Sequence, residues 1–171
     1  MDILEGLLTR RSVRRYSDQP VSREDIADII KYAMFAPSAK NNRPWHFIPT
    51  QDKAVMEGIM AVHPFAKMLQ YAQWVVIVCG DKEAADTPDY LPVDCANATE
   101  NLLLAAHAKG LGACWLGIYP RRERMDALHE LLAMPETIVP VAAVSIGWPG
   151  RAYDEIPERF EPEKIHWNDR W

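Results

Sequence analysis

Four arginines crowd into six residues, Arg10-Arg11-Ser12-Val13-Arg14-Arg15, just before Tyr16. Guanidinium forks match the oxygens of a phosphate group two at a time, and Ser12 adds a hydroxyl inside the run. The plain reading of such a run is a solvated charged stretch. Here it joins a short helical pattern to an extended one, where side chains can converge on a point, and one bound phosphate group is the chemistry it suggests. A second polar cluster, Ala36-Pro-Ser-Ala-Lys-Asn-Asn-Arg-Pro-Trp-His-Phe47, leads into a strand-like segment. Ser38 and Asn41 can hydrogen-bond the edge of a heteroaromatic ring, and the same residue types are also plain turn formers.

Other reactive side chains point away from chemistry of their own. His46, His63, His107, His129 and His166 form no i,i+3 or i,i+4 pairs, and none is spaced from a cysteine as zinc ligands are. No metal is expected. Cys114 precedes Trp115 in an apolar strand and reads as a buried, inert thiol. The chain has no GxSxG, GxGxxG or GxxxxGK[ST] motif. Gly110-Leu-Gly112 is too short for a phosphate loop and reads as a helix stop.

The elements that must position these residues follow from periodicity and caps. Residues 2–9 read as a short helix capped by Asp2. Ser22-Arg-Glu-Asp25 resembles a capping box ahead of the stripe Ile26, Ile29, Ile30, Ala33 and Met34, and Pro37 closes that helix. Residues 45–50 alternate weakly as a strand, and a helix pair is expected over 52–72, broken at His63-Pro64. Trp74–Cys79 is a continuous β-branched run, hence a buried strand. Residues 91–109 form a helix apolar on nearly all faces, so it should be central, with Gly110 ending it. A strand at 113–116, a helix at 121–133 and a strand at 138–147 complete the pattern.

The chain has 171 residues, with 49% hydrophobic and 25% charged. That is a single globular domain spanning 1–171, and the composition excludes disorder. A net charge of −5 argues against nucleic-acid binding, which needs a basic face. Three cysteines without a CxxC exclude a disulfide framework and favour a reducing compartment. The longest apolar runs fall short of the roughly 18 residues that a membrane span requires, and the N-terminus does not have signal-peptide order. A cytoplasmic location is expected. Residues 150–171 lack periodicity, yet hold Tyr153, Phe160, Trp167 and Trp171. An extended tail wrapping a partner subunit is the favoured reading of those aromatics.

Taken in order, Arg10-Arg-Ser-Val-Arg14-x-Tyr16, Ala36-Pro-Ser-Ala-Lys-Asn41-Asn-Arg-Pro-Trp45, Gly110-Leu-Gly-Ala-Cys-Trp-Leu-Gly117, Ile146-Gly-Trp-Pro149 and Arg159-Phe-x-Pro-Glu-Lys-Ile-His-Trp167 resemble the nitroreductase family of FMN-dependent oxidoreductases, specifically its short members. The resemblance spans nearly the whole chain. It implies an α+β fold with a mixed sheet flanked by helices, a homodimer embraced by the C-terminal tails, and FMN at the interface. By motif match Arg10, Arg11 and Ser12 would hold the FMN phosphate, with Arg159 as a further cation. Arg14 would face the pyrimidine end of the ring system. Pro37, Ser38, Ala39 and Asn41 would approach from the partner subunit, and Leu116 and Gly117 would offer backbone groups near the reactive ring nitrogen. Ala39 stands where a second Ser is common and Arg43 where Gln is common. No Asn precedes Lys67-Met68, where larger relatives have one.

The activity so implied is hydride transfer from NAD(P)H through FMN to a small-molecule acceptor, a nitroaromatic or quinone, by ping-pong turnover. Arg14 would stabilise the charge of the reduced ring, and no acid–base side chain is required. The alternatives are a flavin-binding or redox-sensing homodimer without turnover, and an interaction module whose arginines hold some other anion.

Overall fold

A computed structural model describes residues 2–153 and 156–168. Trp171, the last of the tail aromatics, lies outside the described residues. Asp2 caps α1 (Ile3–Thr9) by accepting the Glu5 amide at 2.8 Å. Ser22 caps α2 (Arg23–Ala33): its Oγ accepts the Asp25 amide at 3.0 Å and donates to the Asp25 carboxylate at 2.7 Å. Asp25 is one methylene too short for the usual return bond to the cap backbone, so it takes the hydroxyl instead.

Four strands follow, namely β1 (Trp45–Thr50), β2 (Trp74–Asp81), β3 (Gly112–Gly117) and β4 (Ile138–Gly147). Between them lie α3 (Lys53–Val62), α4 (Leu91–Ala108) and α5 (Arg122–Leu132). The sheet runs β1-β2-β4-β3, and each neighbouring pair is antiparallel. Side chains of a strand alternate between faces. Val76 and Val78 therefore enter one apolar cluster with α2 and α4, while Val75, Ile77 and Cys79 enter a second with α3 and α5. Covering both faces makes β2 apolar throughout, although the sheet is antiparallel.

α4 lies at the centre, with Leu91, Asp94, Cys95, Ala98, Thr99, Leu102, Leu103 and Ala106 buried. It ends in a Schellman motif: the Gly110 amide donates to His107 O and the Leu111 amide to Ala106 O, both at 2.9 Å. Gly110 has φ +78°, a conformation that costs a side chain dearly.

Three expectations need correction. The mixed sheet is antiparallel, and its parallel element is a single bridge, Ser12 to Ala113, because the chain leaves the β3 edge again within four residues to bridge Pro149 from Tyr16. The second helix of the 52–72 pair is only a 3₁₀ turn, Lys67–Gln70, since no side chain caps it and Pro64 cuts off α3. One flank of α4 remains open, with Val93 and Ala108 exposed and Leu104 half-buried. In the described tail, only Pro162–Lys164 forms a turn; Phe160 and Trp167 are exposed.

Candidate functional site

The arginine run is pinned along the outer edge of β3. The Val13 amide donates to Ala113 O at 2.9 Å, and the Val13 side chain is buried. It lies against Gly112 so closely that a Cβ there would meet Val13 Cγ1 at 2.5 Å. Tyr16 locks the far end: its hydroxyl donates to Val13 O at 2.8 Å and pairs with Ser145 Oγ at 2.7 Å. Burial pushes the Tyr16 phenol well above its usual range, so it stays protonated. With Val13 turned inward, Ser12 and Arg14 are left exposed on the surface.

The four arginines diverge. Arg10 Nε is held by Glu100 of α4 at 3.1 Å. Arg11 Nη1 donates to Leu8 O and Arg10 O at 2.9 and 2.8 Å. Arg11 lines a cavity of about 740 Å³ with Arg151, Tyr153 and Arg159, so the two ends of the chain do supply cations to one space. Arg151, stacked 4.8 Å over the Tyr153 ring, was not found by motif; its signal was its position two residues past Pro149. Arg14 and Arg15 line a different cavity, of about 500 Å³, together with Lys67, Tyr71 and Gly150. His107 Nε2 lies 2.7 Å from Thr9 Oγ1. Burial, then Arg10 and Arg11, hold its pKa below the usual value.

Antiparallel pairing points the N–H and C=O of one residue to the same side. Ala113 turns its carbonyl outward to Val13, so Trp115 and Gly117 also face away from β4. The Gly117 carbonyl accepts Arg124 Nη1 at 2.6 Å. A Cβ on Gly117 would meet nothing within 4 Å, unlike one on Gly58, Gly80 or Gly147. The glycine is therefore not demanded by packing within the chain, and it leaves a bare step at the end of the strand. Leu116 was expected beside Gly117 at this edge. It pairs with Ala143 and is buried, so the ladder turns its backbone toward β4.

Cys114 lies beneath the run, near Ser12 and Arg14. Burial raises its pKa, which keeps it a thiol. Burial likewise pushes Cys79 and Cys95 up to about 12.

The Pro37–Asn41 loop is set by α4. The Ala39 amide donates to Asp94 Oδ1 at 2.9 Å and Asn97 Nδ2 donates to Pro37 O at 3.3 Å. Ser38 Oγ accepts the Arg43 amide at 2.9 Å. Lys40, Asn41 and Arg43 all have positive φ, between 48° and 58°. Such residues cost roughly 1–3 kcal/mol each and persist only where the surroundings fix them. Buried Asp94 is the residue that sequence reasoning missed; an acid inside the apolar α4 stripe was its signal. α4 thus carries both sets, the loop on Asp94 and Asn97 and the run on Glu100. None of the cavities above takes in Ser38 or Asn41 together with an arginine of the run. Among the described residues no helix is long and apolar enough to cross a membrane.

Known proteins share this fold. The profile of the nitroreductase family matches residues 7–72 and 61–148. An Archaeoglobus fulgidus protein with the provisional name NADH dehydrogenase/NAD(P)H nitroreductase is 46% identical over 173 residues, covering 99% of each chain. A crystal structure from Parabacteroides distasonis under the same provisional name superposes with a TM-score of 0.91 at 36% identity, covering 98% of each chain. A provisionally assigned nitroreductase of Desulfovibrio desulfuricans, solved in complex with FMN, gives a TM-score of 0.85 at 29% identity, covering 96% of this chain and 95% of its own. The family profile reaches from residue 7 to residue 148 and the Archaeoglobus relative aligns over 99% of the chain, so the chain belongs to the nitroreductase family.

Proposed function

We propose that the chain is an FMN-dependent oxidoreductase that takes hydride from NAD(P)H and reduces a nitroaromatic, a quinone or a similar small acceptor. One observation supports it above the rest: the outer edge of β3 has the arginine run bridged to one end through the Ser12 backbone and the bare Gly117 step at the other. From Ala113 to Gly117 is about 13 Å at the usual rise of a strand, a length on the scale of a flavin mononucleotide. The donors fit its two ends. Arg11, Arg159 and Ser12 would hold the phosphate dianion, and Arg151 shares the cavity of the two arginines. The outward N–H of Gly117 would face the ring edge.

Bound FMN would supply the redox chemistry by accepting hydride from NAD(P)H and releasing it to the acceptor. The protein contributes position and field. Arg14 sits in the cavity with Lys67, and either cation would favour negative charge gathering at the pyrimidine edge of the ring. Donor and acceptor would use one open face in turn, a ping-pong sequence.

A homodimer completes the proposal. Ile3, Leu4, Leu7 and Leu8 of α1 are exposed together with Tyr32, Met34 and Phe35 after α2. Ile3 and Tyr32 line one space, and clustered exposed apolar side chains mark an interaction surface. Pairing two copies across it would let the Pro37–Asn41 loop of one reach the flavin of the other. The tail would then embrace the partner, for which the groove of about 890 Å³ between α2 and the edge strand β1, walled by Trp45, Phe47 and Trp74, supplies an apolar seat. The chain would act as one FMN-binding domain within that pair, in the cytoplasm.

The test is an absorbance spectrum of the purified protein followed by anaerobic addition of NADH and NADPH. Flavin bands that bleach, and return with a nitroaromatic or quinone, support the proposal. A yellow protein that neither nicotinamide bleaches points to a flavin-binding sensor, and a colourless protein that takes up no FMN overturns the reading.

A further inference from the structure

His107, in the last turn of α4, has no task in the reading above. Its Nε2 lies 2.7 Å from Thr9 Oγ1. The one hydrogen of that hydroxyl is donated to Glu5 O at 2.7 Å, so Thr9 Oγ1 accepts and the imidazole carries its hydrogen on Nε2. Nδ1 is then the ring atom that can gain a proton. The ring lines a cavity of about 320 Å³ with Thr9, Arg11, Arg151 and Tyr153. Arg11, Arg151 and Tyr153 also line the cavity of about 740 Å³ that Arg159 enters. Two cavities walled by the same side chains adjoin, so a phosphate gripped by Arg11 or Arg151 is one side chain away from the imidazole.

The charged groups around the ring are Glu5 of α1, Arg10 and Arg11 of the run, and Arg151 of the tail. Glu100 is taken by Arg10, and Lys109 by Asp25 and Asp28. Among the described residues no carboxylate lines either cavity. Burial, then Arg10 and Arg11, favours the neutral ring. A phosphate monoester is a dianion above about pH 6. Placed among these arginines, it offsets the repulsion that opposes a charge on the ring. The carboxyl end of a helix favours that charge as well.

We propose that His107 is a phosphate-binding residue of this site: it takes a proton from solvent onto Nδ1 as a phosphate monoester dianion binds, and so supplies a further positive charge from the side of α4. The inference rests on the FMN reading and deepens it, because it makes uptake of the phosphate end of the ligand, and not of its ring, proton-linked.

The experiment titrates FMN and riboflavin into flavin-free protein at pH 7 and pH 8 and follows flavin fluorescence. The FMN phosphate is fully ionised across that range, and riboflavin has none. The preference of the wild-type protein for FMN over riboflavin is expected to fall about two- to fivefold from pH 7 to pH 8, as binding that takes up a proton must weaken when protons grow scarce. His107→Gln keeps a donor for Thr9 and cannot take a proton, so its preference should not change with pH. Histidine ring resonances of the wild-type protein at pH 7 give a second measurement, which decides if the variant does not fold: FMN should move one histidine toward its charged form, and riboflavin should not. A preference independent of pH in the wild-type protein overturns the proposal, as does the same fall in His107→Gln, or histidine resonances that FMN leaves in place. Wild-type protein that takes up neither flavin defeats the FMN reading itself, a result distinct from pH-independent binding.

Discussion

The Val13 amide donates to the Ala113 carbonyl at 2.9 Å, and this one bond converts a run of arginines into an extra rung on the edge of β3. The Val13 side chain can come that close only because residue 112 has none. Gly112→Ala sets a Cβ against Val13 with little room to move. Overpacking of this kind costs about 1–3 kcal/mol. Urea unfolding should show that loss, and fluorescence titration should show weaker FMN binding, since the rung carries Ser12 and Arg14. Wild-type FMN affinity in this variant would detach the rung from the site.

Arg14 is exposed and shares its cavity with Lys67. Arg14→Ala should leave the free energy of unfolding within about 0.5 kcal/mol of wild type, as surface changes do. The flavin potential should fall, and reduction by NAD(P)H in stopped flow should slow about tenfold. An unchanged reduction rate assigns the charge stabilisation elsewhere, with Lys67 the next residue to replace.

Arg151 and Arg159 both enter the cavity that Arg11 lines. A chain ending at Pro149 loses both, along with the tail aromatics. It should bind FMN at least tenfold more weakly than the full chain, bind riboflavin nearly as well, and sediment as a monomer. A truncated dimer with full flavin content removes the embracing tail from the proposal.

Asp94 is a buried carboxylate that accepts the Ala39 amide at 2.9 Å. Hydrogen bonds to charged groups contribute about 1.5–3 kcal/mol. Asp94→Ala should cost that much stability and speed hydrogen exchange at Ala39 and Asn42, the amides of the positive-φ loop. Protected exchange there would mean that Asn97 and Ser38 suffice.

His63 has its pKa lowered below the usual value, first by burial and then by Arg124. The unfolded chain therefore binds a proton that the folded chain refuses. Its contribution is complete above about pH 6.5 and is lost as pH falls, with a slope of at most about 1.4 kcal/mol per pH unit until the folded ring titrates. Chemical denaturation between pH 7.5 and 5 should show that fall, and His63→Gln should flatten it. An unaltered slope in the variant would place the proton on another group; His107, also lowered by burial, is the nearest candidate.

Local chemistry made much of this protein legible in its sequence. Asp2, Ser22 and Gly110 act as caps through hydrogen bonds that span only a few residues. The unbroken apolar run of β2 announced a strand covered on both faces. The ordered motifs from Arg10 to Trp167 announced the family. Tertiary structure alone decided which backbone groups face the open edge, because a strand's parity is set by its neighbour: Ala113 looks to Val13, so Gly117 is bare and Leu116 is not. It also decided that Asp94 holds the Pro37–Asn41 loop through the Ala39 amide. Asp94 and Ala39 lie 55 residues apart in the chain, and contacts at that separation have no local signature. The short parallel bridge and the collapsed second helix at Lys67–Gln70 were likewise decided by packing, since single rungs and single turns are too small to leave a periodic pattern.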